Sequence, residues 1–164
     1  MMTQELLKSI LNYDKHIGIF TWKVKCNVMI NIGDVAGSLK QTGYREIAYK
    51  QKWYREHKLA FIYEHGYFPK LIDHINGEKA DNRIENLREA TQSQNQFNSQ
   101  RINKHNTRNV RFRKDRNKWV ITFYTNNTPK QYGSFDNFDE ANKVANELRL
   151  QFHGNFAYQH RENI

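Results

Sequence analysis

The most informative part of the sequence is "LIDHINGEKADNRIENLREATQSQNQFN", residues 71–98. It holds adjacent Asp73 and His74 and several Asn residues, a residue type that is mostly exposed rather than used to fill a core. "LID" predicts a short apolar strand, and Asn76-Gly77 is the strongest hairpin signal in the chain. "RIENLREA" predicts extended or irregular chain, and Thr91 to Gln94 fits a capping box, where a helix should begin. The predicted order is strand, loop, strand, helix.

Asp73 and His74 are residue types that phosphodiester cleavage requires. Such hydrolysis needs a base that takes a proton from water, a Lewis acid that stabilises the phosphate, and a group that orients the base. Histidine is the usual base near neutral pH, and a carboxylate with a carboxamide oxygen suits a hard cation such as Mg²⁺. Adjacent side chains on a strand point to opposite faces, so the two residues suit separate roles. From these residues alone, a structural Asp-His pair with Asn residues as turn formers and caps remains the alternative.

The chain before this stretch predicts a small β-rich segment. Residues 3 to 13 predict a short helix, because Leu and Ile recur at helical spacing. Residues 17 to 39 show strand-like runs interrupted by Gly residues. Residues 41 to 66 predict two strands joined by a Lys-Gln turn, and then a short helix that ends near Gly66.

The chain after this stretch predicts a second module. Residues 102 to 106 are a polar linker. "NVRFR", "KWVITFY" and "KQYGSF" predict three antiparallel strands joined by turns at "KDRN" and "TNNTP". "NFDEANKVANELRLQFHG" predicts an amphipathic helix, with Asp136 or Asn137 as its cap and Gly154 just past its end.

Composition favours a polyanionic partner. The chain has 164 residues and a formal net charge of +9, and nucleic acid is the first partner that such a charge suggests. Eight Lys and Arg residues lie between Arg101 and Lys118, against Asp115 alone. Cys26 is the single cysteine, so no disulfide framework and no Cys-based structural zinc site is expected. No long apolar run or signal-peptide pattern is present, which predicts a protein without membrane association.

The stretch resembles the HNH endonuclease motif, in the variant of phage and intron-encoded homing endonucleases in which the closing His is replaced by Asn. The resemblance rests on Asp73-His74, on Asn86 in "ENLR" and on Asn95 in "SQNQFN". The upstream "REHKLAFIYEHGYFP" also resembles the segment that precedes this motif. The similarity covers roughly residues 54 to 99 and implies a ββα-metal fold.

The resemblance also implies a role for each residue. His74 would be the general base, and Asn86 would brace the loop and orient His74. Asp73 and Asn95 would hold one divalent cation, Mg²⁺ or alternatively Mn²⁺, against the scissile phosphate. The accessory candidates are His57 and Asn98, with packing or phosphate contact as their alternative roles.

Residues 107 to 157 resemble the AP2/ERF DNA-binding domain, in which a three-stranded sheet enters the major groove and a helix packs behind it. The resemblance rests on "RNVRFR", "KWVITF", "YGSFDNFDEAN" and "HGNFA". This sequence departs from the plant pattern, because Asn109 replaces a usual Gly, the first turn is one residue longer, and Thr122 and Tyr124 replace Glu and Arg. The plant DNA site is therefore not carried over. Together with the basic segment, the candidates for DNA contact are Arg101, Lys104, Arg108, Arg111, Arg113, Lys118, Thr122, Tyr124 and Lys130.

The sequence therefore predicts an α+β protein with a β-rich part of the nuclease domain (1–53), an HNH core (54–101), a linker (102–106) and an AP2-like domain (107–160). The predicted function is metal-dependent cleavage of double-stranded DNA, with nicking by a monomer or double-strand cleavage by a dimer. The expected location is the cytoplasm of a phage-infected bacterial host. The alternatives are a DNA-binding regulator that does not cut, and an RNA-directed nuclease or RNA-binding protein.

Overall fold

The computed structural model describes residues 2–98, 109–125 and 128–157. The chain divides into two compact units, with the boundary between Asn95 and Gln96. Within the described residues, no helix is both long enough and apolar enough to cross a membrane.

The first unit consists of short helices and three small antiparallel sheets. The sheets pair β1 with β2, β3 with β4 and β5, and β6 with β7. A 3₁₀ turn, Ile84–Asn86, precedes β7. The elements are α1 (Gln4–Ile10), β1 (Leu11–Asp14), β2 (Ile19–Trp22), β3 (Ser38–Leu39), β4 (Arg45–Tyr49), β5 (Lys52–Arg55), α2 (Glu56–His65), β6 (Ile72–His74), β7 (Leu87–Glu89) and α3 (Gln92–Phe97), whose last two residues belong to the second unit.

The first helix is shorter than the sequence predicts. Thr3 caps α1 by accepting a hydrogen bond from the Leu6 amide, but the helix ends at Ile10 and the next four residues form β1. Leu11 is extended and pairs with Trp22. The prediction of helix over residues 3 to 13 was wrong at its end, because strand pairing with β2 outweighs a helical pattern of apolar residues.

The helix α2 follows β5 directly and supplies much of the core of the first unit. It ends, as predicted, at Gly66, which has a left-handed backbone conformation (φ 82°) that glycine adopts without steric cost. Its apolar residues pack with α1, β1 and β2. Two polar residues in its first turn, Glu56 and His57, are also buried, so this helix carries polar groups into the interior of the unit.

The strands β6 and β7 pair through a longer connection than a hairpin of the Asn76-Gly77 type. In the register, Ile72 lies opposite Glu89 and His74 opposite Leu87, so residues 75–86 form the loop. The Gly77 amide donates to the His74 carbonyl (2.8 Å) and closes a turn at the start of that loop. The turn signal is confirmed, but it does not join the strands by itself.

The second unit has the predicted three-stranded antiparallel sheet and helix. The strand order is β10-β9-β8, and the core combines the sheet with the helix α4. The Asn137 side chain caps α4 by accepting from the Asp139 and Glu140 amides, and Trp119 packs against Phe138 (ring centroids 4.8 Å apart). The elements are β8 (Val110–Arg113), β9 (Lys118–Thr125), β10 (Thr128–Phe135), α4 (Phe138–His153) and a 3₁₀ turn (Gly154–Phe156).

Asn109 has a left-handed backbone conformation just before β8. Its φ is 66°, in the region that Asn tolerates better than most residues. The Thr122 amide donates to its carbonyl (2.8 Å), and its side-chain amide donates to the Thr122 carbonyl (3.1 Å). These two hydrogen bonds hold the start of β8 against β9.

Candidate active site

The strand β6 places Asp73 and His74 on opposite faces of a two-stranded ribbon. Asp73 lies opposite Arg88 and His74 opposite Leu87, as the alternation of side chains along a strand requires. Both are buried, with 4% and 6% of their surfaces exposed. The geometry agrees with separate roles for the carboxylate and the imidazole.

The His74 imidazole has a polar partner in the following loop. Its Nε2 lies 3.3 Å from Oδ1 of Asn82. Burial lowers the pKa of His74, while the Asn82 hydrogen bond and the Asp73 charge act in the opposite direction. The neutral imidazole, which is the form that accepts a proton, is therefore favoured near neutral pH.

Asn82 links His74 to a buried group of hydrogen-bonded polar side chains. Its Nδ2 donates to Oε2 of Glu56 (3.3 Å), and Nε of Arg45 donates to the same oxygen (3.0 Å). Glu56 and Asn82 are 0% and 1% exposed. Burial raises the pKa of Glu56, against the effect of Arg45 and Asn82, which stabilise the carboxylate. Sequence reasoning missed all three residues, since no spacing in the sequence relates them.

Asn86 braces the loop between β6 and β7. Its Oδ1 accepts from the Asn76 amide (2.9 Å), and its Nδ2 donates to the Asp81 carbonyl (2.8 Å). The side chain thus ties the two ends of the loop together, which agrees with the predicted bracing role. The His74 imidazole has a hydrogen bond with Asn82, a residue of the same loop that Asn86 braces.

Asp73 forms a buried ion pair with Arg88. The Arg88 Nε and Nη2 lie 2.8 Å and 2.6 Å from Oδ2 of Asp73. Since the two residues are directly opposite in the register, the pairing is a cross-strand contact. Arg88 provides a positive charge for a carboxylate that could not otherwise be buried without cost.

The candidate ligands fit a hard divalent cation by their chemistry. A carboxylate and a carboxamide are both oxygen donors, and Mg²⁺ is usually held by one or two carboxylates together with water and phosphate. In the described part of the chain, no group of three or more His, Cys, Asp and Glu side chains could hold a metal ion. The ligand pair of Asp73 and Asn95 stays a prediction.

The helix that carries Asn95 begins where the capping box predicts. The Gln94 amide donates to Oγ1 of Thr91 (3.2 Å), and the Thr91 amide donates to Oε1 of Gln94 (2.8 Å). Asn95 continues this first turn with a bond from its amide to the Thr91 carbonyl (3.0 Å). Asn98, a candidate accessory residue, is buried just after α3.

His57 lies against the candidate base. Its ring is 5.1 Å from that of His74 and 5.2 Å from that of Tyr44. Burial, and then the neighbouring His74, lowers the pKa of His57 to about 3. Its Nδ1 is buried without a hydrogen-bond partner in the described residues. His57 is therefore a neutral ring that packs beside His74 over the physiological pH range.

The buried state of His57 predicts acid-sensitive stability. In the unfolded chain this imidazole binds a proton below about pH 6.5, whereas the folded protein keeps it neutral down to a pKa of about 3. The unfolded state binds more protons in this window, so stability falls as pH decreases from about 6.5 to about 3. The variant His57→Phe keeps the ring contacts but has no group to protonate. Between pH 7 and pH 4 we expect its free energy of unfolding to decrease by about 2–3 kcal/mol less than that of the wild type.

Urea denaturation at several pH values checks this expectation. The matched control is His16→Phe, because His16 is exposed in the same unit, and it should keep the wild-type pH dependence. Identical acid sensitivity in wild type and His57→Phe would contradict the prediction.

The structure brings five of the predicted DNA-binding residues to one face of the second unit. Ile121 and Phe123 pack in the core with α4, so the alternate side chains of the sheet point to the opposite face. Arg113 pairs with Asp115 (2.7 Å), while Lys118 pairs with Asp136. This outer face consists of Arg111, Arg113, Lys118, Thr122 and Tyr124.

The remaining candidates are placed differently. Lys130 is opposite Phe123 in the register, on the side of the helix, so it does not join the outer face. Arg101, Lys104 and Arg108 lie outside the described residues. Among the described candidates, Lys130 is the one that lies off the outer face.

Comparison with protein families identifies the class of this site. Residues 54–97 match the family described as HNH endonuclease, and this range includes α2, β6, the loop, β7 and α3. The chain thus contains an HNH endonuclease domain, which makes it a nuclease hydrolase and implies a DNA substrate. Comparisons with curated proteins and with solved structures give no match.

Proposed function

We propose that this protein is a metal-dependent DNA endonuclease of phage homing type, in which His74 activates water for hydrolysis of a phosphodiester bond. The observation that carries the proposal is the pair on β6: a buried imidazole with a polar support on one face, and a buried carboxylate on the other. A base and a metal ligand on adjacent residues of one strand can act on the same phosphate.

Each of these residues has a distinct task in the proposed reaction. His74 takes a proton from the attacking water, and the neutral form favoured by burial makes it able to do so. Asp73 and Asn95 would hold the divalent cation, which stabilises charge on the phosphate and on the departing oxygen. Asn86 keeps the loop in place. Water attacks phosphorus and the bond from phosphorus to the 3′ oxygen breaks, which leaves a 5′-phosphate and, once the departing oxygen is protonated, a 3′-hydroxyl. One site cuts one strand.

The second unit is proposed to bind duplex DNA as an AP2-like module. Support comes from its sheet and helix, with basic and polar side chains on the face away from the helix. The major groove admits a β-sheet element of this kind. The net charge of +9 predicts binding that weakens steeply with salt.

Incubation of a supercoiled plasmid with the protein and Mg²⁺ tests the proposed function. We expect nicked circles with Mg²⁺ and an intact plasmid with EDTA. Sequencing the ends would report strand number and specificity. Binding without cleavage under all metal conditions would favour the alternative of a regulator that does not cut.

Arg111 offers a test of the DNA-binding face. It is exposed on β8 and points away from α4. We expect Arg111→Ala to weaken duplex binding about 5- to 10-fold and to reduce the salt dependence by about one counterion. The matched control is Lys130→Ala, which removes an equal charge on the helix side. An equal loss in the two variants, measured by fluorescence anisotropy against salt, would contradict this assignment.

A further inference from the structure

We infer that Asn82, held by Glu56 and Arg45, is the positioning residue of His74 and fixes the imidazole as the tautomer protonated at Nε2. Nδ1 is then the basic nitrogen. The catalytic consequence rests on the proposed function, but the tautomer does not.

The donor and acceptor types of these groups allow one pattern of hydrogen bonds from Arg45 through Glu56 and Asn82 to His74. Arg45 can only donate, so Oε2 of Glu56 accepts from its Nε (3.0 Å). The Glu56 carboxylate accepts a second bond at the same oxygen from Nδ2 of Asn82 (3.3 Å). This contact orients the Asn82 amide, because its nitrogen faces the carboxylate and its oxygen faces away.

The orientation of Asn82 then decides the state of His74. An amide oxygen accepts and cannot donate, so Nε2 of His74, 3.3 Å away, must carry the hydrogen. In a neutral imidazole one nitrogen donates and the other accepts. The proton-accepting nitrogen is therefore Nδ1, and a flipped Asn82 amide would favour the opposite tautomer.

The Asn82 backbone is held by the hairpin of β1 and β2. The Tyr13 hydroxyl donates to the Asn82 carbonyl (2.5 Å). Gly18 packs so closely that an added Cβ would lie 2.6 Å from the Asn82 carbonyl carbon and 2.4 Å from the Arg83 nitrogen. Its φ of 72° also disfavours other residues. The N-terminal hairpin therefore places the residue that orients His74.

The second carboxylate oxygen of Glu56, Oε1, lies close to the backbone at Gly37. A Cβ on Gly37 would lie 2.3 Å from Oε1 of Glu56 and 2.8 Å from the Glu46 carbonyl oxygen. The backbone at Gly37 thus closes over the carboxylate and leaves it fully buried. Both donors, Arg45 and Asn82, contact Oε2, whereas Oε1 is buried without a hydrogen-bond partner in the described residues. Oε2 is the anchor for Asn82, because breaking a hydrogen bond between buried groups costs free energy.

Long-range ¹H–¹⁵N spectra of the intact protein at about pH 8 test the inference without any cleavage assay. We expect the His74 ring to show a protonated Nε2 and a basic Nδ1. A wild-type ring protonated at Nδ1 would overturn the inference, whether or not the protein cuts DNA. A protein with the expected tautomer but no cleavage would refute the proposed function alone.

Variants at Asn82 test the positioning role. Asn82→Leu removes the acceptor at similar volume, and we expect mixed tautomers and a kcat lower by about 10- to 100-fold, with KM changed less than about threefold. Asn82→Asp keeps an acceptor oxygen toward His74, and its other oxygen must carry a proton to replace the Nδ2 donor to Glu56. In that form it should retain the Nε2 tautomer and recover part of the lost kcat. Thermal melts would show whether each variant folds.

The matched control is Asn12→Leu, an exposed Asn on β1, which should keep the wild-type tautomer and kcat. A folded Asn82→Leu variant with a wild-type tautomer and kcat would overturn the inference. If that variant does not fold, loss of the Nε2 tautomer in folded Asn82→Asp would also overturn it.

Discussion

We expect His74→Ala to lower DNA cleavage by about 10³-fold or more and to leave duplex binding nearly unchanged. The variant removes the group that is proposed to take a proton from water, while the proposed DNA-binding face lies on residues after Asn109. Plasmid nicking with Mg²⁺ measures the loss, and fluorescence anisotropy in Ca²⁺ measures binding.

Because His74 is buried, the test needs a structural control. A melt of His74→Ala shows whether the cavity left by the imidazole unfolds the unit, and His74→Gln fills more of the space without supplying a base. The matched control is His16→Ala, since His16 is exposed, and it should cut like wild type. Loss of DNA binding in a folded His74→Ala variant would mean that His74 has a structural role and is not the base.

We also expect Asp73→Ala to lower cleavage by at least about 10²-fold, because the proposed metal ligand would be lost together with several kcal/mol of charge stabilisation. The same variant leaves Arg88 without its carboxylate partner (2.6 Å). Breaking a buried pair in this way can cost about 3–5 kcal/mol, so activity alone does not separate metal binding from stability.

The variant Arg88→Met separates the effect on metal binding from the effect on stability. It removes the ion pair and keeps the Asp73 carboxylate, so we expect Mg²⁺-dependent nicking to persist and Mg²⁺ to raise the melting temperature more than in wild type. Asp73→Ala should lose the Mg²⁺-dependent rise altogether. An undiminished Mg²⁺ effect in Asp73→Ala, or full wild-type activity in EDTA, would contradict the metal role.

Short-range features could be predicted because their partners lie within a few residues. The capping box at Thr91 and Gln94 is one such feature, and the cap at Asn137 is another. Opposite faces for Asp73 and His74 follow from the strand period alone. The motif spacing also gave the HNH class, which the family comparison over residues 54–97 confirms.

Long-range features could not be predicted, since their partners are chosen by the fold. The end of α1 at Ile10 depends on pairing of β1 with β2, and the side of the sheet that holds Lys130 depends on the register with β9. The local sequence is compatible with helix or strand after Ile10, and with either side of the sheet for Lys130. Pairing with a partner strand selects one of the two in each case.

The amino-acid sequence was enough to predict the Asp73–His74 pair, the helix start at Thr91 and the basic character of the chain. Only the folded structure shows which groups support the His74 imidazole. Arg45, Glu56 and Asn82 come from a strand, a helix and a loop, and they meet only because the first unit folds around α2. Burying a polar group without a hydrogen-bond partner costs free energy of folding, and packing determines which partner is within reach.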